Sequence, residues 1–261
     1  MYPKISIVTV SYNQADFIEE NIESVINQNY PNVEHIIIDA GSTDGTIEIL
    51  KKYDRYLNWI SEPDNGQSDG LNRGFKKASG EIIGWINSDD ALADNALYRV
   101  ADFFKENPNE VAVVGNQMFI DENSNKIKIV NSSSYSYDYL LNNAKGITQN
   151  STFFKKEIFS RVGYLDESLH YAMDHDLFIR ITTIKDIPHI PYTLAKFRMQ
   201  PKAKTAEGGV NFAKDLLYIR KKYKGKLFSA GNWDSIYIIL TEPLRKILWF
   251  RRLIQSVRGV S

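Results

Sequence analysis

Runs of β-branched and apolar residues, each closed by polar side chains and each followed by a segment of helical period, constrain this chain more than any other feature. Ile5-Ser6-Ile7-Val8-Thr9-Val10 is mostly apolar, as in a parallel strand buried on both faces, and Ser11-Tyr12-Asn13-Gln14 ends it. Phe17, Ile18, Ile22, Val25 and Ile26 then recur at helical spacing, predicting a helix from Ala15 to Gln28 that Pro31 and Asn32 break. Val33 to Asp39 reads as a second strand, and Gly41-Ser42-Thr43-Asp44-Gly45 turns it into a helix over Thr46 to Tyr53. A third strand, Leu57 to Ile60, runs into the Gly-, Pro- and acid-rich stretch Glu62 to Gly70, read as a loop before a helix from Leu71 to Ala78. The fourth, Ile82 to Ile86, delivers Asn87-Ser88-Asp89-Asp90, followed by a helix over Asn95 to Glu106 and a strand over Val111 to Val114. Repeated βα units of this kind predict an α/β fold with a parallel sheet and right-handed crossovers. In such sheets ligands bind beyond the carboxyl ends of the strands.

That rule directs attention to Asn87-Ser88-Asp89-Asp90. Two adjacent carboxylates repel unless a cation or a proton joins them, and oxygen ligands of this type suit Mg²⁺ or Mn²⁺. The competing reading is a helix N-cap with first-turn acids. A dinucleotide-binding domain would show Gly-x-Gly-x-x-Gly after the first strand, and none is there. Asp39 is either a turn-former before Gly41 or an acceptor for a ribose hydroxyl or a base N–H.

With 261 residues, 43% hydrophobic and 25% charged, the chain suits one large domain or a domain with an appendage. Basic and acidic residues balance at 32 each, so bulk charge gives no argument for nucleic acid. The absence of cysteine excludes disulfides, thiol catalysis and zinc–cysteine sites. No signal-peptide pattern opens the chain, and no apolar run reaches the ~18 to 20 residues that span a bilayer.

In the second half, Asp121 to Asn125 reads as a turn between strands, Ser132 to Tyr139 as a polar loop, and Ile147 to Phe154 as a strand. Lys155 to Val162 reads as a short helix and Gly163 to Ser168 as a turn. Met173, Leu177, Ile181 and Ile184 share one face of a further helix. Its first turn carries Asp174 and Asp176, where the helix dipole favours acids, with Asp176 and Arg180 spaced to pair and His175 read as a polar first-turn residue. Phe212 to Tyr223 predicts another helix. Beyond Pro243, Ile247, Phe250, Leu253, Ile254 and Val257 form an apolar arc, with five cations between Arg245 and Arg258 and only Glu242 opposing. That tail suits either an interfacial anchor on anionic lipid or a helix docked on the domain or on a partner subunit.

Taken together and in order, Val10-Ser11-Tyr12-Asn13, Ile38-Asp39-Ala40-Gly41-Ser42-Thr43-Asp44-Gly45-Thr46 and Asn87-Ser88-Asp89-Asp90 resemble the inverting family 2 glycosyltransferases of the GT-A fold, over residues 4 to 205. Gly66-Gln67-x-Asp69-x-x-Asn72-x-Gly74 resembles a bacterial branch that builds surface polysaccharides. The resemblance implies a Rossmann-like, mostly parallel sheet flanked by helices. Residues 1–205 would form the catalytic domain, 1–115 its nucleotide-binding half and 116–205 its acceptor half, with 206–261 a helical C-terminal extension. It also implies a nucleotide-sugar donor, UDP-linked, a glycan or lipid-linked glycan acceptor, and Mn²⁺ or Mg²⁺ as cofactor.

By the same resemblance Thr9, Ser11 and Tyr12 would line the base and Asp39 would bind the uracil or ribose. Gln67, Asp69 and Asn72 would contact base or sugar, although Leu71 stands at the family's usual arginine. Asn87 and Ser88 would lie against the donor, Asp89 would hold the metal with Asp90 as a candidate second ligand, and Asp174 would be the general base. Gln200 and Lys204, in the segment Phe197 to Thr205, would meet the diphosphate. Asn87, Met173 and Gln200 depart from the acid, glutamate and histidine usual there, which keeps open a second reading: a nucleotide-sugar-binding but catalytically weak or inactive partner of another transferase. A nucleotidyltransferase would need a Gly-rich basic loop after the first strand, which is absent. The C-terminal tail lies outside the resemblance; its basic apolar arc suits a cytoplasmic protein peripheral on the inner face of the membrane, with membrane contact or homo-oligomerisation through the C-terminal helices.

Overall fold

A computed structural model describes residues 2–143, 147–200 and 209–241. Lys204 and the segment from Glu242 onward, with its basic apolar arc, lie outside the described residues. The strands β1 (Ile5–Ser11), β2 (Val33–Asp39), β3 (Leu57–Ser61) and β4 (Ile82–Trp85) pair in parallel in the order β3-β2-β1-β4. They alternate with the helices α1 (Ile18–Ile26), α2 (Thr46–Lys52) and α3 (Gln67–Lys77). The sheet continues through β8 (Thr152–Lys155), β6 (Ala112–Ile120), β9 (His189–Arg198) and β5 (Ala91–Leu92), while β7 (Lys126–Val130) hangs on β6. Strand β8 is antiparallel to both β4 and β6, and β9 is parallel to β6, so β6 and β9 recover the direction of the first four strands.

Register fixes where polar strand ends meet. Ile5 pairs with both Val33 and Ile82, so Ser11 lies opposite Asp39 and beside the residues that follow Trp85. The strands are short apolar runs buried on both faces, with Ile5, Ile7, Val8, Ile37 and Ile83 sealed from solvent. Helix α3 lies so close to β1 that a Cβ on Gly74 would stand 2.4 Å from Val8 Cγ1. Helices α4 (Ala96–Glu106), α5 (Tyr137–Asn142), α6 (Phe159–Val162) and α7 (Met173–Thr182) complete the body.

The structure departs from the sequence reading in definable ways. Helix α3 starts at Gln67 rather than Leu71, because Gly66 turns the chain at φ +114° and frees the next residues to enter the helix. The Ser132–Tyr139 loop contains a bridge from Tyr135 to Ile187 and the start of α5, where Ser136 accepts from the Tyr139 N–H. The run Ile147–Phe154 is a strand only from Thr152, since residues 149–151 form a 3-10 turn. Strands β5 and β9 were not read. His175 is buried, with Nε2 2.8 Å from the Leu140 carbonyl, and burial lowers its pKa to about 4. Asp176 forms the expected pair with Arg180 at 2.8 Å but also receives Lys222 Nζ at 3.0 Å and the Tyr223 hydroxyl at 2.9 Å. It thereby clamps the helix Gly209–Lys222 onto α7.

Candidate active site

The carboxyl ends of β1 and β4 open into a cleft of about 680 Å³. Ser11, Tyr12, Gln14, Gln67, Asn87, Ser88, Asp89 and Gln200 line it, together with Val10, Pro63, Asp64 and Phe197. Two of its lining atoms, Ser11 Oγ and Gln14 Oε1, are buried and have no hydrogen-bond partner among the described residues. A buried polar atom without a partner costs about 1–3 kcal/mol, so such atoms at the wall of a cleft favour a polar ligand. Tyr12 is 60% exposed at the same wall and presents an aromatic face.

The turn after β4 is held from every side. Asn21 of α1 donates to the carbonyls of Asn87 and Asp90, both at 2.9 Å. The Asn87 side-chain oxygen accepts from Trp85 Nε1 and from Gln67 Nε2, each at 3.1 Å. Arg198, at the end of β9 and only 1% exposed, donates through Nε to the Asp89 carbonyl at 2.9 Å and through its backbone N–H to Asp90 Oδ1 at 3.0 Å. Its guanidinium also meets Asp121, Ser124 and Glu20 and lies over the Phe17 ring.

Held in this way, the two neighbouring acids divide. Asp90 is 2% exposed and turns into the protein, where Asn150 donates to its second oxygen at 3.1 Å. Burial pushes its carboxyl well up and Asp89 adds to that, while the Arg198 N–H and the Asn150 amide pull it back. Asp90 therefore braces the turn and does not line the cleft, contrary to its expected second place at a metal. Asp89 lines the cleft; Gln200 Nε2 donates to its Oδ2 at 2.8 Å, and Oδ1 accepts no hydrogen bond among the described residues. The helix-cap reading of Ser88-Asp89-Asp90 falls, because the chain enters β5 and α4 begins only at Ala96.

Several expected contact residues stand elsewhere. Thr9 is sealed beneath the cleft, 3.0 Å from His35 Nε2, because its side chain alternates to the face opposite Val8 and Val10. Asp69 faces Arg73 at 2.8 Å and the Asn65 N–H at 3.0 Å, pinning the loop before α3. Asn72 exchanges hydrogen bonds with the backbone of Leu165 at 3.0 and 3.1 Å and reaches Glu167 at 2.9 Å. Asp39 is fully buried; its carboxylate accepts from the Gly41 and Ser42 N–H groups at 3.0 and 2.9 Å and from the Ser42 and Ser61 hydroxyls at 2.5 and 2.7 Å. It shapes the turn whose Ala40 lines the cleft. Asp174 opens α7, half-buried, with Oδ1 accepting the His175 N–H at 2.7 Å, and does not itself line the cleft. The segment leading into α7 abuts the cleft's α3 wall, where the Ser68 hydroxyl donates to the Leu169 carbonyl at 3.2 Å.

The sequence reading passed over Gln14, Asn21, Asn150 and Arg198. The available signal for Arg198 was its place inside Phe197 to Thr205, the segment expected at the diphosphate.

The sequence model of Glycosyl transferase family 2 matches residues 6–165. An uncharacterized glycosyltransferase of Haemophilus influenzae is 37% identical over 142 residues, 53% of this chain and 56% of that protein. A poly-beta-1,6-N-acetyl-D-glucosamine synthase of Staphylococcus epidermidis is 28% identical over 94% of this chain and 62% of that protein. The chain thus spans a little over half the length of these curated relatives. Among solved structures, S. aureus TarS 1-349 in complex with UDP-GlcNAc has a TM-score of 0.67 at 18% identity, covering 99% of this chain and 76% of that one. The mannosyltransferase PcManGT from Pyrobaculum calidifontis, in complex with GDP-Man and Mn²⁺, has a TM-score of 0.65 at 19% identity, covering 100% and 77%. These likenesses show a GT-A-type fold. The family match covers more than half of the sequence, and the chain belongs to glycosyl transferase family 2.

Proposed function

We propose that the chain transfers a sugar from a UDP-linked donor to a hydroxyl of a glycan or lipid-linked glycan acceptor, with inversion, in bacterial surface polysaccharide synthesis. The observation that carries this reading is the cleft at the carboxyl ends of β1 and β4. Ser11 and Gln14, whose Oγ and Oε1 are buried without a partner among the described residues, line it together with Asp89, whose Oδ1 accepts no hydrogen bond among them. The reading is supported by the relatives named as glycosyltransferases and by the fold shared with a structure holding UDP-GlcNAc.

In this reading Tyr12 flanks the base, Ser11 and Gln14 bind polar atoms of the nucleoside, and Gln67 and Asn87 meet the sugar end. The donor set at Asp89 fits a divalent cation. Mg²⁺ is commonly bound by one or two carboxylates together with substrate phosphates. Asp89 Oδ1 accepts no hydrogen bond among the described residues, and the Gln200 amide, which donates to Oδ2, carries an oxygen of its own. No cluster of three or more His, Cys, Asp or Glu suited to a metal occurs among the described residues, so the substrate phosphates would supply the remaining ligands. Bound there against the diphosphate, Mn²⁺ or Mg²⁺ would neutralise charge on the departing nucleotide. Asn87 brings no charge, and its amide oxygen is already engaged by Trp85 and Gln67, so Asp89 is the single acid that the cleft offers the cation from this turn. Asp174 takes the acceptor proton as the hydroxyl attacks the anomeric carbon from the face opposite the nucleotide.

The test is release of UDP from a panel of UDP-sugars with Mn²⁺ and a glycan acceptor. Acceptor-dependent release in the native protein, lost in Asp174→Asn with nucleotide binding retained, is the expected outcome. Nucleotide binding with no release from any donor would instead favour the inactive-partner reading, and absence of binding would overturn both.

A further inference from the structure

The helix over residues 230–241 leaves most of its large apolar side chains outside. Its inward face sets the half-buried Ile238 beside Gly231 and Ser235, which are held by the buried Arg220, whose Nη1 donates to the Gly231 carbonyl and the Ser235 hydroxyl, both at 2.8 Å. A Cβ on Gly231 would come within 2.5 Å of Arg220 Nη2, so this face is fitted to the guanidinium. The outward face is mostly apolar, with the exposed Asp234 at its edge. Trp233, Ile236, Tyr237 and Leu240, spaced on one helical stripe, are 58%, 38%, 63% and 66% exposed. The preceding loop adds Leu227 and Phe228, exposed at 76% and 79%. Arg220 also anchors this unit to the body through the Leu141 and Asn143 carbonyls at 3.2 and 3.1 Å, so the stripe is presented rather than adrift.

Charge says what covers it. Lys221, Lys222, Lys224 and Lys226, all exposed, precede the Leu227–Phe228 tip in the chain; Lys222 pairs with Asp166 and Asp176 and Lys226 with Asp138, whereas no ion pair holds Lys221 or Lys224 among the described residues. From Arg220 to the end, the sequence carries ten Lys and Arg against two acids, in a chain whose 32 basic and 32 acidic residues balance. An exposed apolar patch with Trp and Tyr at its rim and lysines just before it in the chain matches an anionic lipid surface, where aromatic rings settle at headgroup level and each cation adds attraction. The described residues contain no helix long and apolar enough to cross a membrane, so the surface suits contact with a bilayer rather than passage through it. We propose that Leu227, Phe228 and the Trp233–Leu240 stripe dock the protein on an anionic phospholipid bilayer. This surface is independent of the cleft and of the reaction assigned to it.

Co-sedimentation of the full chain with vesicles of phosphatidylcholine alone, and with phosphatidylcholine mixed with phosphatidylglycerol, tests the proposal. The native protein is expected to bind the mixed vesicles, to bind less in high salt, and to leave neutral vesicles largely unbound. Leu227→Ser with Phe228→Ser is expected to weaken partition about tenfold or more, since each side chain loses its burial in lipid. Both residues are exposed, so the thermal midpoint should not change, and a variant with Trp233→Ser and Tyr237→Ser repeats the test on the helix. Binding that vanishes on removal of residues 242–261 but ignores both variants would overturn the assignment to this surface. So would a lipid-free dimer, seen by light scattering, that the variants dissociate while the native protein ignores vesicles.

Discussion

The two ends of β1 and β2 carry similar side chains and treat them in opposite ways. At the amino end, Ser6 and Glu34 bond each other, Ser79 donates its N–H and hydroxyl to Glu34 at 2.5 and 2.8 Å, the Gly80 N–H reaches Ser6 at 2.8 Å, and Lys4 closes the group at 3.1 Å. At the carboxyl end, Ser11 Oγ and Gln14 Oε1 are buried with no partner among the described residues, and Asp89, which lines the cleft, has an oxygen that accepts no hydrogen bond among them. Burial alone therefore does not mark a functional polar residue. A satisfied cluster stabilises the fold, whereas an unsatisfied one is complete only with something bound. Asp39 shows that position alone is no guide either, since it sits at the carboxyl end and is saturated by its own turn and by Ser61 of β3.

If the two ends divide the work in this way, substitutions at one should cost activity and at the other stability. The largest effect is expected of Asp174→Asn, which should lower the transfer rate by ~10²–10⁴-fold, the usual contribution of a positioned base, with UDP affinity nearly unchanged. Equal rates for variant and native protein in a steady-state assay would remove Asp174 from the reaction. Ser6→Ala should cost about 1–3 kcal/mol in urea unfolding, because it takes a donor from the half-buried Glu34 carboxylate and an acceptor from the Gly80 N–H, and it should leave UDP binding alone. Ser11→Ala should do the reverse, weakening UDP binding by about 3- to 10-fold in a titration while leaving the unfolding midpoint in place. A stability loss for Ser11→Ala matching that of Ser6→Ala would erase the distinction between the two ends.

The smallest expected effect is a pH dependence at the amino end. Burial pushes the Glu34 carboxyl up, but hydrogen bonds from Ser6, Ser79 and Lys4 outweigh it and lower its pKa to about 2 from an ordinary 4.5. A depressed carboxylate contributes stability that is present above the ordinary value and lost as pH falls toward 2. The unfolding free energy of the native protein should therefore drop between those limits more steeply than that of Glu34→Gln. Parallel curves would show that Glu34 is not the group responsible.

Much of this division was legible in the sequence. The strand–helix alternation from Ile5 to Glu106 follows directly from apolar runs closed by polar residues, and it located the turn after β4 without any contact information. Side-chain direction was less accessible. Thr9 and Ser11 lie two apart on β1 and share a face, yet Thr9 meets His35 while Ser11, the last residue of the strand, reaches the cleft beyond its carboxyl end. Asp89 and Asp90 were indistinguishable as letters; Arg198 and Asn150, more than fifty residues downstream, are what separate them. Strand β9 carries Pro191, Lys196 and Arg198 among its apolar residues, so it shows neither a clean run nor a clean alternation, and its pairing with β6 and β5 is a tertiary fact. Likewise α3 began earlier than its apolar pattern suggested because Gly66, not hydrophobicity, sets its start.

Asp89 is proposed as the acid that, with a divalent cation, grips the donor's diphosphate. Calorimetric titration of UDP into the native protein and into Asp89→Asn, with and without Mn²⁺, measures that directly. The native protein should bind UDP more tightly with Mn²⁺ than without it, and Asp89→Asn should bind UDP to the same weak extent in both conditions. No UDP binding by the native protein, or an undiminished Mn²⁺ effect in the variant, would contradict the assignment.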